Sequence, residues 1–223
     1  MKLTTEQIEY VSNYIKSFDI KWYELQVELT DHMVNSMEEI WEKDPELTFH
    51  QVKQFAENEF GRNGFKALQE ERRIILYKEF NRNQWKMMRN YLKFPKIIMS
   101  VLSVVFVYRI SFYFDDVLFF NKILFGILAV FQAITVVNRL LNRKINGKRF
   151  LALETVFSVS IGAIYFTYWG IFLAKSYIEN LRENHLLFLP FYCLWVFLVV
   201  LNITAIHLQK TTILKVKKQY QLL

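Results

Sequence analysis

The chain has 223 residues and a formal net charge of +7, and hydrophobic residues make up 53% of it. Such a composition excludes an ordinary water-soluble protein unless part of the chain lies in lipid. The single cysteine, Cys193, excludes a disulfide within the chain and any site built from several thiolates. Only three prolines and six glycines interrupt the sequence. We therefore predict an all-α protein, a cytoplasmic helical bundle followed by a four-helix transmembrane domain.

The charges are distributed unevenly along the chain. Residues 1–71 carry a net charge of −8, residues 72–96 carry +7 and residues 97–223 carry +8. Because the basic residues flank apolar segments, anionic lipid headgroups explain them better than a nucleic acid does. The predicted regions follow these boundaries: an acidic cytoplasmic helical domain, a basic amphipathic linker helix and a transmembrane domain. We expect a lipid bilayer with anionic headgroups as a partner, and no nucleic acid.

Two helices with one apolar face each are predicted at the start of the acidic region. The first covers residues 4–18, where Thr4 and Gln7 have the spacing of a capping box. The second covers residues 21–43 and stops at Asp44, because the residue before a proline avoids helical angles.

A third helix is predicted to follow the proline. Thr48 and Gln51 form a second capping box, and Gly61 is expected to end this helix in the usual C-terminal role. Three or four short helices, each with one apolar face, should pack into a compact bundle.

Part of this region resembles a HAAS-type or permease-prefix domain, a short cytoplasmic helical domain that precedes bacterial membrane segments. The resemblance covers about residues 20–75. It rests on Glu28-Leu29-Thr30-Asp31-His32-Met33, Leu47-Thr48, Val52, Ala56, Phe60-Gly61, Leu68 and Glu70-Glu71-Arg72. The family implies a regulatory or docking module beside membrane machinery such as transport permeases. By itself, His32 fits either a histidine packed between helices or a sensor of pH or ligand.

Acidic side chains crowd the end of the second predicted helix and the turn after it. Such a cluster fits either a docking site for a protein partner or a solvated surface that keeps the domain soluble. The candidate partner-binding residues are Asp31, His32, Glu38, Glu39, Glu42, Asp44 and Glu46.

A fourth helix is predicted from Gly64 to about Phe94, and its second half is amphipathic. One face carries five cations, which are Lys78, Arg82, Lys86, Arg89 and Lys93. The opposite face carries Leu76, Phe80, Met87, Tyr91 and Phe94, with Trp85 and Met88 on a flank. The cations are candidates for anionic-lipid contact, either along a helix that lies in the membrane interface or as a collar that orients the first span.

Four apolar segments follow, each about long enough to cross a ~30 Å hydrocarbon core. They are residues 97–114, 117–138, 151–174 and 186–207. Seventeen Lys and Arg residues would flank them on one side of the membrane and four on the other. The positive-inside rule then places both termini and the middle loop in the cytoplasm.

Polar residues inside apolar segments are expensive and therefore functional candidates. The three intramembrane candidates are Arg109, Gln132 and Glu154. Ion pairs at the interfaces explain Arg109 and Glu154 without any further role, and interhelical hydrogen bonding explains Gln132.

No motif for a nucleophile, a phosphate-binding loop or a metal-dependent hydrolase occurs in the sequence. We therefore expect a non-enzymatic protein of the bacterial inner membrane, without a cofactor or metal. Its acidic bundle would sense or dock a protein partner, or the membrane helices would form a homo-oligomer. The alternative is a small transporter or channel subunit, in which Arg109, Gln132 and Glu154 would meet around a wet cavity.

Overall fold

The computed structural model describes residues 2–60, 64–180 and 188–220. Over these residues the chain is helical apart from turns and two isolated β-bridges, so the all-α prediction is confirmed. The helices are α1 (Thr5–Ser17), α2 (Tyr23–Lys43), α3 (Phe49–Glu59), α4 (Gly64–Tyr91), α5 (Lys96–Ser111), α6 (Val117–Leu141), α7 (Leu151–Asn180) and α8 (Leu189–Gln219).

The chain forms two compact units. The bundle unit comprises Met1–Leu76 and Arg143–Ala152, and the apolar unit comprises Tyr77–Asn142 and Leu153–Leu223. The boundary in α4 lies at residue 76 rather than at the predicted residue 71, because Leu76 still packs against the core of the bundle. The inclusion of Arg143–Ala152 was not predicted from the sequence.

Local sequence signals position the helices of the bundle unit. Both predicted capping boxes are confirmed, and in the first one Gln7 donates its backbone N–H to Thr4 Oγ1 over 3.3 Å. The helix α2 ends before Asp44, as the following proline predicts. The predicted stop at Gly61 lies outside the described residues.

The core of the bundle unit is built on α2. Its side chains at four-residue spacing, Leu25, Leu29, Met33 and Met37, are completely buried. Burial of each such side chain contributes on the order of 1.5–3 kcal/mol. Residues from the other helices close this core: Val11, Ile15, Val52, Ala56 and Phe65.

The apolar unit contains the helices that are apolar enough to cross a membrane. Among the described residues, three helices meet this requirement in length and composition, in segments Phe119–Leu141, Leu151–Trp169 and Leu189–Gln219. The pair α4 and α5 would supply a fourth crossing if it is counted as one bent span. These lengths and compositions are those of a multi-pass membrane protein.

Three of the apolar helices extend beyond the predicted spans, and α6 does so by three residues, to Leu141 instead of residue 138. The helix α7 continues to Asn180 instead of residue 174, since neither glycine nor proline interrupts its last turns. The helix α8 continues to Gln219 instead of residue 207. Its last turns alternate buried residues such as Val216 with lysines, so they form an amphipathic helix that an apolar window misses. The predicted start at residue 186 lies outside the described residues.

The helix α4 ends three residues earlier than predicted, at Tyr91, and the chain then bends by 74° into α5. Pro95 caps the start of α5, and a proline both lacks an N–H and disfavours helix in the residue before it. The helix α5 has 16 residues and ends at Ser111, short of the predicted residue 114. Its length is about 24 Å.

The buried face of α4 differs from the predicted one. Phe80, Gln84 and Met88 are buried at four-residue spacing, whereas Phe94 is 80% exposed. The polar Gln84 interrupts the apolar pattern of this face. The sequence therefore predicts Met87 on the buried face, one residue away from Met88, which is the residue that is buried.

The second half of α4 crosses α7 and α8 at a steep angle. The lining of one cavity of about 180 Å³ extends along α4 from Tyr77 to Trp85, which is about 12 Å. The same cavity touches only residues 159–163 of α7 and 197–201 of α8, each about 6 Å of helix. The 74° bend between α4 and α5 agrees with this angle, because α5 runs along α8.

The helices α6 and α8 pack in the same direction. Trp195 Nε1 donates to the carbonyl oxygen of Leu124 over 2.9 Å, and Asn138 Nδ2 donates to Gln209 Oε1 over 3.4 Å. In both pairs the two residues are 71 positions apart in the sequence. A step forward along α6 is therefore matched by an equal step forward along α8, so the two helices are parallel. Alternating spans predict this direction for the second and fourth of four crossings.

Candidate functional site

The loop between α6 and α7 is an ordered hairpin turn. Ile145 and Lys148 exchange two backbone hydrogen bonds of 3.0 Å. Between them, Asn146 and Gly147 have φ angles of 49° and 76°. Positive φ at both central residues is characteristic of a type I′ turn, for which Asn-Gly is the preferred pair.

After this turn the loop runs beside the start of α2. Trp22 and Arg149 form a parallel β-bridge, in which Tyr23 donates its N–H to the carbonyl oxygen of Arg149 over 2.8 Å. Lys148 Nζ lies 3.6 Å from the centroid of the Tyr23 ring, a cation–π contact. The other side of the contact is apolar, since Phe150 is 1% exposed and meets the same ring edge-on.

The first turn of α7 is held by the bundle unit. Leu151, the first residue of α7, is 1% exposed and lies in the core formed by α1, α2 and α3. Glu24 Oε1 accepts the N–H of Ala152 over 2.9 Å. A helix N-terminus has backbone N–H groups without partners in the helix and a positive dipole end, so a carboxylate there is a favourable cap. We call the contacts of Trp22, Tyr23 and Glu24 with residues 148–152 the loop clamp.

The Glu24 carboxyl is a partly buried acid whose second oxygen, Oε2, has no hydrogen-bond partner among the described residues. Burial raises the pKa of this carboxyl, and the neighbouring Glu28 acts in the same direction. The backbone N–H groups of Ala152, Glu24 and Leu151 oppose the shift by stabilising the charged form. The clamp therefore contains a group whose protonation differs between the folded and unfolded chain.

The acidic residues predicted to bind a partner fall into two groups along α2. Glu39, Glu42, Asp44 and Glu46 are exposed at the end of α2 and in the following turn. Glu38 has a structural task as well, because its Oε1 accepts the N–H of Leu3 over 2.9 Å.

The second group is Asp31 and His32, about 15 Å from Glu42 along the helix axis. Both side chains are exposed, and the His32 ring meets the Phe60 ring edge-on with centroids 5.5 Å apart. The structure therefore places the histidine against α3 and apart from the acidic turn.

An aromatic group beside the acidic turn was missed in the sequence. Trp41 Nε1 donates to the carbonyl oxygen of Leu47 over 2.9 Å and closes the turn that contains Asp44. Phe49 lies between Trp41 and Tyr10, with ring centroids 6.4 and 5.6 Å away, and Tyr10 is 46% exposed. The aromatic residues on both sides of the proline were the available signal. Together these side chains give the acidic turn an apolar border.

The five predicted lipid-contact residues are all exposed: Lys78, Arg82, Lys86, Arg89 and Lys93. The first four lie on α4 away from its buried face, and Lys93 lies in the bend that follows α4. A row of cations thus lies along the helix that crosses α7 and α8 steeply.

The three intramembrane candidates do not share a described cavity. Arg109 is exposed in the last turn of α5, and Glu154 is exposed in the first turn of α7. Gln132 lies in the middle of α6, with a buried Nε2 that has no partner among the described residues. None of the three lines any of the cavities described in the apolar unit.

Other polar side chains hold the apolar helices together. Asn202 is 1% exposed, and its Nδ2 donates to Thr167 Oγ1 over 3.2 Å, which connects α8 to α7. Gln84 is buried against α7 and α8, and its Nε2 has no partner among residues 2–60, 64–180 and 188–220. The bond between Asn202 and Thr167 is the usual kind of interhelical link in lipid.

Across the described ranges, no group of three or more His, Cys, Asp or Glu side chains could hold a metal ion. The described site is a set of backbone and side-chain contacts with exposed charges nearby. The resemblance of about residues 20–75 to a permease-prefix domain stays a prediction. Comparisons with protein-family models, curated proteins and solved structures found no match to this chain.

Proposed function

We propose that this chain is a non-enzymatic, regulatory or docking subunit of the bacterial inner membrane, and that its bundle unit binds a protein partner. The observation that carries the proposal is the loop clamp. Through it, the bundle unit holds the first turn of an apolar helix by both a core side chain, Leu151, and a cap, Glu24.

The clamp supplies a physical route from a partner to the membrane helices. A partner that favours one arrangement of α2 also changes how well Glu24 and the core hold the start of α7. Such coupling is limited to the difference in binding free energy between the two arrangements. Loss of a cap alone is worth about 1 kcal/mol, which is a several-fold change in an equilibrium.

The acidic turn is the proposed docking surface. Exposed carboxylates, including Glu42 and Asp44, lie next to the aromatic side chains of Trp41, Phe49 and Tyr10. This combination fits a partner segment that carries Lys or Arg residues beside one apolar anchor, because charge steers the encounter and the aromatic border supplies the buried contact.

The experiment removes the acidic surface and leaves the fold intact. In the test variant Glu39, Glu42 and Glu46 become Gln and Asp44 becomes Asn. The matched control neutralises four exposed acids elsewhere on the bundle unit: Glu6, Glu9, Glu59 and Glu71. Crosslinking in native membranes should recover a partner with the wild type and the control but not with the test variant. Equal recovery with both variants would remove the acidic turn from the proposal.

The proposed orientation places both termini and the loop clamp in the cytoplasm. It is supported by the seventeen Lys and Arg residues on that side against four on the other. At the C-terminus, a reporter that works only in the cytoplasm should be active and one that works only outside should be inactive. After Asn180, the opposite pattern is expected. The opposite result at the C-terminus would overturn the orientation.

We further propose that the second half of α4 lies in the cytoplasmic interface of the membrane. Its steep crossing of α7 and α8 and the 74° bend into α5 support an orientation in the membrane plane. In this position the residues that it crosses, 159–163 of α7 and 197–201 of α8, would mark the cytoplasmic edge of the hydrocarbon core, further out than the predicted spans put it. In the same position, the cations that begin with Lys78 would face anionic headgroups, at about 1 kcal/mol for each cation near the surface.

The alternative, a small transporter or channel subunit, needs polar side chains around a shared path. Arg109 and Glu154 lie at opposite ends of the apolar helices, and no described cavity contains them or Gln132. No observation therefore favours this second function over the first.

A further inference from the structure

A groove in the apolar unit lies where α4 bends into α5. Its volume is about 470 Å³, within the range of pockets that bind small molecules. The end of α4 and the bend form one wall, and α5 and α8 form the others. The lining residues on these helices include Trp85, Met88, Leu92, Val101 and Val196.

The groove has the direction that a lipid tail would follow. On α5 its lining extends from Ile97 to Val104, and on α8 from Cys193 to Val200, each about 10 Å of helix. The groove therefore runs along α5 and α8, whereas α4 closes only one end of it. Most of the lining is apolar, with Ser100 as one of few polar side chains.

Charge at this closed end identifies the ligand. Among the described residues, Arg89 is the only Lys, Arg, Asp or Glu that lines the groove. A second cation is close by, since Lys96 Nζ lies 5.1 Å from the ring centroid of Tyr91, another lining residue. An apolar channel with two cations and no carboxylate at one end matches an acyl chain joined to a phosphate.

We propose that this groove is a binding site for an anionic phospholipid, whose headgroup phosphate contacts Arg89 and whose acyl chain lies between α5 and α8. The inference deepens the proposed function and rests on the interfacial position of α4. At that position the headgroup lies at the level of Arg89, and the tail extends from it into the hydrocarbon. The site would report the lipid composition of the membrane at the bend that joins α4 to α5.

The experiment uses the full-length protein, delipidated in detergent and titrated with phosphatidylglycerol or phosphatidylcholine. Bound lipid is counted by native mass spectrometry. Arg89→Gln removes the cation, and its matched control is Arg82→Gln, which lies on the same exposed face of α4 but outside the groove. Val101→Trp fills the groove, and its control is Val105→Trp on the exposed side of α5.

The wild type should bind one phosphatidylglycerol in preference to phosphatidylcholine. Arg89→Gln should weaken this binding about tenfold, the size expected for one charge-assisted contact. Val101→Trp should abolish it, while both controls bind as the wild type does. The single thiol gives a second readout: because Cys193 lines the groove and is exposed, bound phosphatidylglycerol should slow its alkylation.

Two outcomes would overturn the proposal in different ways. Equal weakening by Arg82→Gln and Arg89→Gln, with no effect of Val101→Trp, would mean diffuse attraction to the basic face; the groove site would fail and the interfacial position of α4 would stand. Equal binding of both lipids by every variant would overturn the site and the interfacial position together.

Discussion

The bundle unit and the apolar unit differ in the polarity of their interiors and of their surfaces. Among the described residues, one buried polar side chain, Thr30, lies in the bundle unit, whereas eleven lie in the apolar unit. The surface of the apolar unit carries large hydrophobic side chains instead, such as Phe106 at 65% exposure and Leu140 at 68%. Water drives apolar groups inward, but a lipid surround does not, so close packing together with interhelical polar contacts such as Asn202–Thr167 holds the second unit together.

The boundary between these two designs does not follow the order of the chain. Residues 143–152 lie between two apolar helices in sequence, yet Leu151 lies in the core of the bundle unit and Phe150 is buried against the Tyr23 ring. The lesson is that a loop between two apolar helices can fold with a unit that precedes both of them in the chain. Four sets of variants test this contrast between the two units.

The largest expected effect is a difference in stability between alanine substitutions of two leucines that are ten residues apart. Leu151→Ala should destabilise the bundle unit by between about 2 and 5 kcal/mol, because the side chain is 1% exposed inside its core. Leu141→Ala, at a position that is 74% exposed, should leave the bundle unit unchanged. Hydrogen exchange of α2 peptides measures both. Equal protection of α2 in the two variants would contradict the division into units.

The second effect concerns the cap of α7. Glu24→Ala should cost about 1 kcal/mol and speed exchange of the first amides of α7, because the N–H of Ala152 loses its acceptor. Glu42→Ala is the control, since this side chain is exposed at the other end of α2. Equal exchange rates of the first α7 amides in Glu24→Ala and Glu42→Ala would mean that Glu24 does not cap α7 in the membrane.

The third effect tests polar contacts inside the apolar unit. Asn202→Ala removes the bond to Thr167 and should cost about 0.6 kcal/mol, with an upper limit near 2 kcal/mol. Ser103→Ala is the control, because the Ser103 hydroxyl bonds only within its own helix, to Met99. The measurement is unfolding in mixed micelles. A stabilised Asn202→Ala variant would argue against polar contacts as the links between these helices.

The smallest effect is the pH dependence of the clamp. A raised pKa means that the folded chain binds the Glu24 proton more tightly than the unfolded chain. Stability should therefore fall as pH rises from the ordinary pKa of a glutamate to the raised pKa, and stay level above it. We expect a shallow slope, because the backbone N–H groups at this carboxyl oppose the upward shift of its pKa. Unfolding across this window should show the slope in the wild type and not in Glu24→Gln.

The sequence predicts those parts of the fold that depend on neighbouring residues. Both capping boxes and the stop before Asp44 act over three or four residues, so their signals are complete in a short window. The clamp has no such signal, because Glu24 and Ala152 are 128 residues apart. The Asn146-Gly147 turn was readable, but its contact with the start of α2 was not.

The same distinction applies to α4. Its cations and their exposed face could be predicted from helical spacing. Its buried face could not, because burial of Gln84 depends on a crossing with α7 and α8 that the local pattern does not encode. The proline signalled an end to the helix, but the angle of the bend depends on the packing of α5.

One crosslink directly tests whether the bundle unit holds the start of α7. In a variant in which Cys193→Ser removes the native thiol, Trp22→Cys and Arg149→Cys replace the two residues of the parallel β-bridge. Neighbouring strands are about 4.8 Å apart, within the Cα separations of about 4.4–6.8 Å that a disulfide spans. A protease site inserted at the turn after Asp44 separates the two cysteines after cleavage.

In native membranes under mild oxidation, the two fragments should stay joined on a gel without reductant and separate when reductant is added. Variants with only one of the two cysteines should give separate fragments throughout. Failure of the double variant to crosslink, while each of its thiols reacts freely with a maleimide, would contradict the clamp and the proposed route from partner to membrane helix.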